Sequence, residues 1–201
     1  MIVHEMVQGT PEWFEIKKGK MSASSAMAIG NCGNGLNTYV RKIIRGLIVA
    51  ESHYTNKDIE RGNELEPVAR QVYEFEHGVE IVQVGFVELN EHIGCSPDGF
   101  IGNKGMIEIK ARNDEKHFGL LIGDPVDSGT IWQMNMQMLI CEREWVDFVS
   151  YNPNFKQSLF VKRFIGDEKK RAALLKGFQI GSELIMKLKS VDSVKFELGK
   201  K

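Results

Sequence analysis

Two acidic residues and a lysine in the middle of the chain have types and a spacing that suit a divalent cation held beside a phosphate. Asp98 lies in a Ser-Pro-Asp-Gly segment, and Glu108 and Lys110 follow ten and twelve positions later in Ile-Glu-Ile-Lys. Because successive side chains of a strand point to opposite faces, Glu108 and Lys110 share one face. Carboxylates are ligands that magnesium prefers, and an ammonium beside them can serve a phosphate or an attacking water.

Each part of this pattern also has an ordinary structural interpretation. Ser-Pro-Asp-Gly is a good β-turn sequence, and alternating Glu-Ile-Lys is typical of any half-exposed strand. The combination of an aspartate with a Glu-x-Lys ten positions later is more specific than either part. It predicts a metal-dependent hydrolytic site, to which a helix glutamate and the carbonyl of Ile109 would add ligands.

The acidic pattern is predicted to lie on a β-hairpin. Strands are expected over 94–101 and 106–111, joined by Gly-Asn-Lys-Gly, with an outer strand over 79–90 leading into them. On the second arm Ile107 and Ile109 would face the core.

A helix over 59–78 is the predicted source of the remaining acid. Glu64 and Glu66 lie on opposite flanks of its apolar stripe, so helix geometry alone leaves open which of them joins the site. Pro67 disfavours helical geometry at the residue before it, which predicts a helix start or a kink at Glu66.

The remaining elements follow from periodicity and capping residues. A helix is predicted to begin at Thr10-Pro11, and a Gly/Asn loop is predicted over 31–37. The other predictions are helices over 39–48, 130–141 and 167–189, strands over 145–151 and 158–165, and a loose tail after Ser193. This order predicts an α/β fold with a central mixed β-sheet flanked by helices.

Two further groups of polar residues accompany these elements. Lysines and serines run through 17–25, where a basic turn leading into a helix N-terminus can bind phosphate. Solvated lysines and a capping Ser22 are the interpretation that composition alone favours. On the helix over 130–141, Gln133 and Gln137 share a face, where half-buried amides need partners.

Composition excludes several classes of protein. The 201 residues suit one domain over 1–201, and the net charge of −1 gives no global support for nucleic-acid binding but leaves room for a local patch. Three widely spaced cysteines argue against a disulfide framework, a zinc site or a four-cysteine iron–sulfur cluster, and favour a reducing compartment. The N-terminal sequence lacks a signal-peptide pattern, and no long apolar segment predicts a membrane span.

The acidic pattern resembles the core motif of the PD-(D/E)xK nucleases. The surrounding segments resemble the branch of phage lambda exonuclease and the YqaJ-type viral recombinases, whose fold is a restriction-endonuclease-like core. The matching segments keep the family's order over residues 8–155. They are Gly9-x-Pro11-Glu12-Trp13, Gly19-Lys20-Met21-Ser22-Ala23-Ser24, Gly62-x-x-x-Glu66 with Ala69-Arg70, Cys95-Ser96-Pro97-Asp98-Gly99, Ile107-Glu108-Ile109-Lys110, and Gln133 with a second glutamine.

The resemblance implies a role for each matching residue, and it favours Glu66 over Glu64. The implied metal ligands are Glu66, Asp98 and Glu108, beside the carbonyl of Ile109, with Lys110 serving the attacking water and Gln133 completing the catalytic set. The implied ligands of a 5′-terminal phosphate or DNA backbone are Lys17, Ser24, Ser96 and Gln133. The family has an arginine at the position of Lys17, and lysine lacks its bidentate fork, so the grip on phosphate is expected to be weaker or shared with Lys18.

Proteins of this family are 5′→3′ exonucleases that degrade one strand of linear double-stranded DNA from an end and leave a 3′ single strand. The resemblance therefore implies dependence on Mg²⁺, with one or two ions and Mn²⁺ as a substitute. It also implies a ring-shaped homotrimer, a single-strand annealing protein as partner, and a phage or prophage enzyme working in the cytoplasm of a bacterial host.

Other functions fit parts of the same sequence. A structure-specific or restriction-type endonuclease would use the same core residues, and closed circular DNA distinguishes it from an end-dependent exonuclease. A non-catalytic DNA-end binder would keep the fold without needing the acids and the lysine, all of which are present. A Cas4-like protein needs four cluster cysteines, which this chain lacks.

Overall fold

The structure of the chain, a computed structural model, describes residues 1–49 and 57–199, apart from the side chains of residues 57–59. The helices are α1 (Pro11–Lys17), α2 (Ala26–Asn31), α3 (Asn34–Ile48), α4 (Lys57–His77), α5 (Asp114–Leu121), α6 (Ser128–Cys141), α7 (Glu168–Lys189) and α8 (Asp192–Leu198). The strands are β1 (Ile2–His4), β2 (Met21–Ser22), β3 (Ile81–Val82), β4 (Phe86–Asn90), β5 (Ile93–Cys95), β6 (Gly99–Ile101), β7 (Gly105–Lys110), β8 (Trp145–Tyr151) and β9 (Leu159–Ile165). Within the described ranges, no helix is both long enough and apolar enough to cross a membrane.

Capping side chains fix where several of these helices begin. Thr10 accepts a hydrogen bond from the backbone N–H of Trp13, with Pro11 as the first residue of α1. Asp127 caps α6 by accepting from the N–H of Thr130 at 2.8 Å, and Asp167 caps α7 in the same way. The predicted starts of α1 and α7 are confirmed.

The larger sheet has five strands in the order β3-β6-β7-β8-β9. β6 and β7 pair antiparallel as the predicted hairpin, whereas β7 and β8 run parallel, so the sheet is mixed. β8 and β9 form the predicted antiparallel pair. This order puts β7 at the centre of the sheet, with Glu108 opposite Phe148.

A second sheet of four strands has the order β1-β4-β5-β2. Two strand predictions are therefore wrong in detail. The segment 79–90 divides into β3 and β4, which join different sheets, and the segment 94–101 divides into β5 and β6. Pro97 lies in the break between β5 and β6, where its missing N–H removes no ladder hydrogen bond. The α/β class with mixed sheets flanked by helices is confirmed.

Apolar side chains cover both faces of the larger sheet. Met106 and Phe148 point into a core shared with α2, α3, α6 and α7, whereas Ile107 and Ile109 point into a smaller core under α4. The prediction for the two isoleucines is confirmed. The strand is not half-exposed, however, because α6 covers the face that carries Glu108, whose exposure is 0%.

Three local predictions differ from the structure. α3 begins at Asn34, so the expected loop over 31–37 shrinks to Cys32 and Gly33. α4 runs from Lys57 to His77 with Pro67 inside it, so Glu66 does not lie at a helix start, although proline inside a helix removes a hydrogen bond. The tail that was expected to be loose forms α8 over Asp192–Leu198.

The contact between α2 and α7 depends on a glycine, which gives a stability prediction. A Cβ at Gly177 would lie 2.1 Å from the carbonyl oxygen of Ile29, and backbone cannot move aside as a flexible side chain can. We expect Gly177→Ala to destabilise the fold by about 1–3 kcal/mol or more. A Cβ at Gly35, in α3, would meet Ala28 at an ordinary 3.5 Å, so Gly35→Ala should be neutral or stabilising. Urea unfolding of both variants measures the difference, and equal midpoints would contradict it.

Candidate active site

A cleft of about 410 Å³ lies where the carboxyl end of β7 meets α4, α6, the segment 96–98 and the turn over 22–24. All nine residues predicted to act line it, namely Lys17, Ser24, Glu66, Ser96, Asp98, Glu108, Ile109, Lys110 and Gln133. Glu64, the alternative that helix geometry left open, is exposed and does not line the cleft. Residues far apart in the chain are thus brought together by the fold.

Glu108 is a charged side chain on the central strand that solvent does not reach. Its Oε1 accepts hydrogen bonds from Lys110 Nζ at 2.5 Å and from Gln133 Nε2 at 2.7 Å. Its Oε2 accepts from Gln137 Nε2 at 2.7 Å. Because a buried carboxylate is stable only when it is paired and hydrogen-bonded, these three donors make the position tolerable.

Asp98 lies in the segment that crosses from one sheet to the other, directly before β6. Its Oδ2 accepts a hydrogen bond from the backbone N–H of Ile109 at 2.6 Å, which ties this segment to β7. Burial raises the pKa of Asp98 well above its usual range, and the negative charges of Glu108 and Glu66 raise it further. The carboxyl keeps a partly accessible edge in the cleft.

Glu66 reaches the same cleft from α4. Arg70, one turn further along the helix, donates to its Oε1 at 2.7 Å. Burial raises the pKa of Glu66, and the neighbouring Glu108 also raises it, while Arg70 opposes them. Two turns beyond Glu66, the buried Tyr73 hydroxyl donates to Asp147 of β8 at 2.5 Å and so anchors the helix to the sheet.

Lys110 lies between the acids and the glutamine. Its Nζ contacts Glu108 Oε1 and lies 3.5 Å from Gln133 Oε1. Burial by itself would lower the pKa of Lys110, but the charges of Glu108 and Asp98 outweigh it and raise the pKa. The side chain is therefore held as a cationic donor at the edge of the carboxylate group.

The donor set of the site suits a divalent cation. Asp98, Glu108 and Glu66 supply oxygen ligands of the kind that magnesium takes, and their mutual repulsion is what a cation would relieve. Within residues 1–49 and 57–199, however, no three acidic, histidine or cysteine side chains form a ready-made metal cage.

The same cleft is lined by a further cation and by hydroxyl groups. Lys17 Nζ lies 3.3 Å from the centroid of the Trp13 ring, and the indole N–H donates to Ser96 Oγ at 2.9 Å and to the Gly85 carbonyl at 3.0 Å. Burial lowers the pKa of Lys17 to about 8. Lys18 pairs with Glu15 and does not line the cleft.

The serines of the predicted basic turn line the same cleft as Lys17. Ser22 Oγ lies 3.0 Å from Ser24 Oγ and 3.2 Å from the Tyr39 hydroxyl, which also accepts from the N–H of Ser22 at 2.9 Å. Ser22 makes no side-chain capping bond, so the interpretation of Ser22 as a simple cap is wrong. The lining hydroxyls of Ser22 and Ser24 are suited to an anion.

The sequence interpretation missed several residues of the cleft. Trp13, Gln8, Arg112 and Lys116 line it, and Gln137 supports it from behind. Arg112 could have been predicted to line the cleft, since it lies two positions beyond Lys110 in the sequence. Gln8 could not, because its hydrogen bonds to the carbonyls of Val84 and Pro97, both at 2.9 Å, exist only in the folded chain.

Comparison with known proteins identifies a family and similar solved structures. The model of the YqaJ-like viral recombinase domain matches residues 12–144. Among solved structures, the chain is similar to an alkaline exonuclease (LHK-Exo) from Laribacter hongkongensis, with 30% identity, 95% of this chain and 97% of that chain covered, and a TM-score of 0.78. The complex of LHK-Exo with dAMP matches with the same values.

A phage-related exonuclease from Haemophilus somnus 129PT shares the fold at 17% identity, with 85% of this chain and 95% of that chain covered and a TM-score of 0.66. No curated protein sequence matches the chain. The family model spans most of the chain and includes every residue predicted to act. The chain therefore belongs to the family of YqaJ-like viral recombinase domains.

Proposed function

We propose that the chain is a Mg²⁺-dependent exonuclease that degrades one strand of linear double-stranded DNA in the 5′→3′ direction and leaves a 3′ single-stranded overhang. Family membership makes it a phage-type DNA nuclease that hydrolyses phosphodiester bonds. The identity of the metal ion, the direction of strand degradation and the 3′ overhang are what we propose beyond family membership. The relative that was crystallised with dAMP supports a deoxynucleotide as the released product.

One observation carries this proposal: a single cleft is lined both by three acids with Lys110 and by a second lysine, Lys17, with hydroxyl groups. The first set suits hydrolysis of a phosphodiester, and the second suits a terminal phosphate. A cleft that holds an end while the next ester is cut is the geometry of an exonuclease.

Glu66, Asp98 and Glu108, with the carbonyl of Ile109, would hold the cation. When bound, a divalent cation would neutralise part of the phosphate charge and lower the pKa of a water molecule bound to it. Asp98 and Glu108 come from adjoining segments that the Ile109 N–H links, so their separation is fixed before any ligand arrives. Glu66 approaches from a different element and completes the set.

The lysine and the glutamine act on the reacting oxygens. Lys110, held between Glu108 and Gln133, is placed to donate to the attacking water or to the charge that develops on phosphorus oxygens. Gln133 bonds to both of its partners through different atoms, so it orients Lys110 and Glu108 relative to each other.

Lys17, Ser24, Ser96 and Gln133, which line the same cleft, would bind the 5′-terminal phosphate. Trp13 supports this role, because its ring makes a cation–π contact with the Lys17 ammonium and its indole N–H donates a hydrogen bond to Ser96. A single lysine gives one point charge rather than a bidentate contact, so discrimination should depend on whether that lysine is protonated.

We also propose that residues 1–201 work as one nuclease domain within a ring-shaped homotrimer, with an annealing protein receiving the 3′ strand in the bacterial cytoplasm. Phe75 and Ile165, with exposures of 89% and 75%, are apolar side chains that such an assembly could cover. Enclosure of DNA would also explain retention at a net charge of −1.

Oligomerisation is tested by sedimentation equilibrium. We expect a mass of three chains for the parent chain. A monomer at all concentrations would contradict the ring.

The first catalytic prediction concerns the acid on α4. Loss of residues that only orient metal ligands lowers activity by about 10–100-fold, so Glu66→Gln should lower the cleavage rate by at least about 100-fold. Glu64→Gln, two positions away on the exposed side, is the matched control and should leave the rate unchanged.

The assay uses Mg²⁺ and linear duplex DNA with one 5′-phosphate end, and the surviving strand is identified. We expect the phosphorylated strand to be lost, closed circular DNA to remain intact, and chelation to stop the reaction. Cutting of the circle would indicate an endonuclease, and activity in chelator would refute the metal mechanism.

The second prediction concerns pH and the Lys17 ammonium. Because its pKa is lowered to about 8, Lys17 is cationic below that pH and neutral above it, with the midpoint moved upward when a phosphate is bound. The ratio of rates on 5′-phosphate and 5′-hydroxyl ends should therefore fall by roughly 10-fold as pH rises through this range, which matches the worth of a charged hydrogen bond.

Lys17→Arg keeps its charge and should hold the ratio constant to higher pH. Lys18→Arg, outside the cleft, should follow the parent profile. A ratio in the parent chain that does not change with pH would show that Lys17 does not select the end.

A further inference from the structure

Gln137 occupies an unusual position directly behind the cleft. It lies one helical turn after Gln133 on α6, and its exposure is 0%. Its Nε2 donates to Glu108 Oε2 at 2.7 Å and lies 3.5 Å from the carbonyl oxygen of Ser96. Its Oε1 is buried and has no hydrogen-bond partner among the described residues.

Core packing does not explain a glutamine at this position. Its neighbours in α6 include Met134, Met136 and Met138, which are all buried. Another methionine would fill a similar volume without leaving a buried oxygen unsatisfied, and an unsatisfied buried polar atom is destabilising. The residue type therefore reflects what the amide donates to, which is the second oxygen of Glu108.

The same amide also touches the segment that carries Asp98. Ser96 begins the crossing between the two sheets, and Asp98 follows two positions later. Gln137 thus contacts both Glu108 and the segment that carries Asp98. Gln133, in contrast, is only half-buried and lines the cleft itself. Because it has no access to the cleft, Gln137 can act on the reaction only through the groups it holds.

We propose that Gln137 is a positioning residue, which fixes the orientation of the Glu108 carboxylate relative to Asp98 and so prepares these acids to take a divalent cation. The inference rests on the proposed metal-dependent hydrolysis. Gln133 sets one oxygen of Glu108 and Gln137 sets the other, so the carboxylate has a single orientation before the cation or DNA arrives.

The test replaces Gln137 with a residue of similar volume and no donor. We expect Gln137→Met to fold, to bind Mg²⁺ about 10–100-fold more weakly by calorimetry, and to lose kcat, as removal of a group that orients a metal ligand does. Binding of DNA in chelator and the KM for DNA should not change. Ile140→Val, also buried in α6 and away from the cleft, is the control for general loosening of the helix and should keep the parent Mg²⁺ affinity.

A second measurement requires no metal and no turnover. A double-mutant cycle of Gln137→Met with Glu108→Gln, followed by urea unfolding in chelator, should show that the two changes are not additive. Gln137→Asn, which withdraws the donor with a smaller change, provides the same readouts if the methionine variant does not fold.

The possible results separate this proposal from the function on which it rests. Parent-like Mg²⁺ affinity in a folded Gln137 variant, or an equal loss in Ile140→Val, would overturn the positioning role while leaving the proposed hydrolysis intact. Failure of the parent chain to bind any divalent cation would overturn the proposed function, and additivity in the cycle would overturn the contact itself.

Discussion

The structure depends on keeping one buried negative charge, the carboxylate of Glu108, on the central strand of a sheet that is covered on both faces. A charge at such a place is destabilising unless protein groups take over the role of water. Lys110 supplies the opposite charge, and two glutamines on α6 supply the remaining donors. The helix, the strand and the hairpin are therefore held in one relative arrangement, because any shift between them would leave the carboxylate without a partner.

The cleft forms where the two sheets meet rather than on either sheet alone. Asp98 lies in the segment that leaves β5 and enters β6, and its bond to the Ile109 N–H fixes that crossing against β7. Trp13 and Gln8 attach the N-terminal part of the chain to the same crossing through Ser96 and Pro97. Binding of the end and cleavage of the ester would thus use supports that share one segment, which couples the position of the terminal phosphate to that of the acids.

Predictions made from the sequence failed where a local pattern has more than one tertiary outcome. Alternation over 79–90 correctly indicated strand structure, but it does not specify the neighbouring strand. The division into β3 and β4, which belong to different sheets, was therefore not predicted. Pro67 indicated a helix start or a kink at Glu66, yet α4 begins nine residues earlier and runs through Pro67, with Ala69 and Tyr73 buried in the core beneath it. The short α8 had no periodic signal that separated it from a loose tail.

The residue pattern alone identified the elements with strong periodicity, the α/β class, and the group of Asp98, Glu108 and Lys110 with the Ile109 carbonyl, because side-chain type and spacing are local properties. The resemblance of ordered motifs added the choice of Glu66. Only the tertiary structure decided that Glu108 is fully buried, that Gln137 holds it from behind, and that Lys17 rests on Trp13 with a lowered pKa. Burial, desolvation and hydrogen-bond partners depend on segments distant in the chain, and no local pattern contains them.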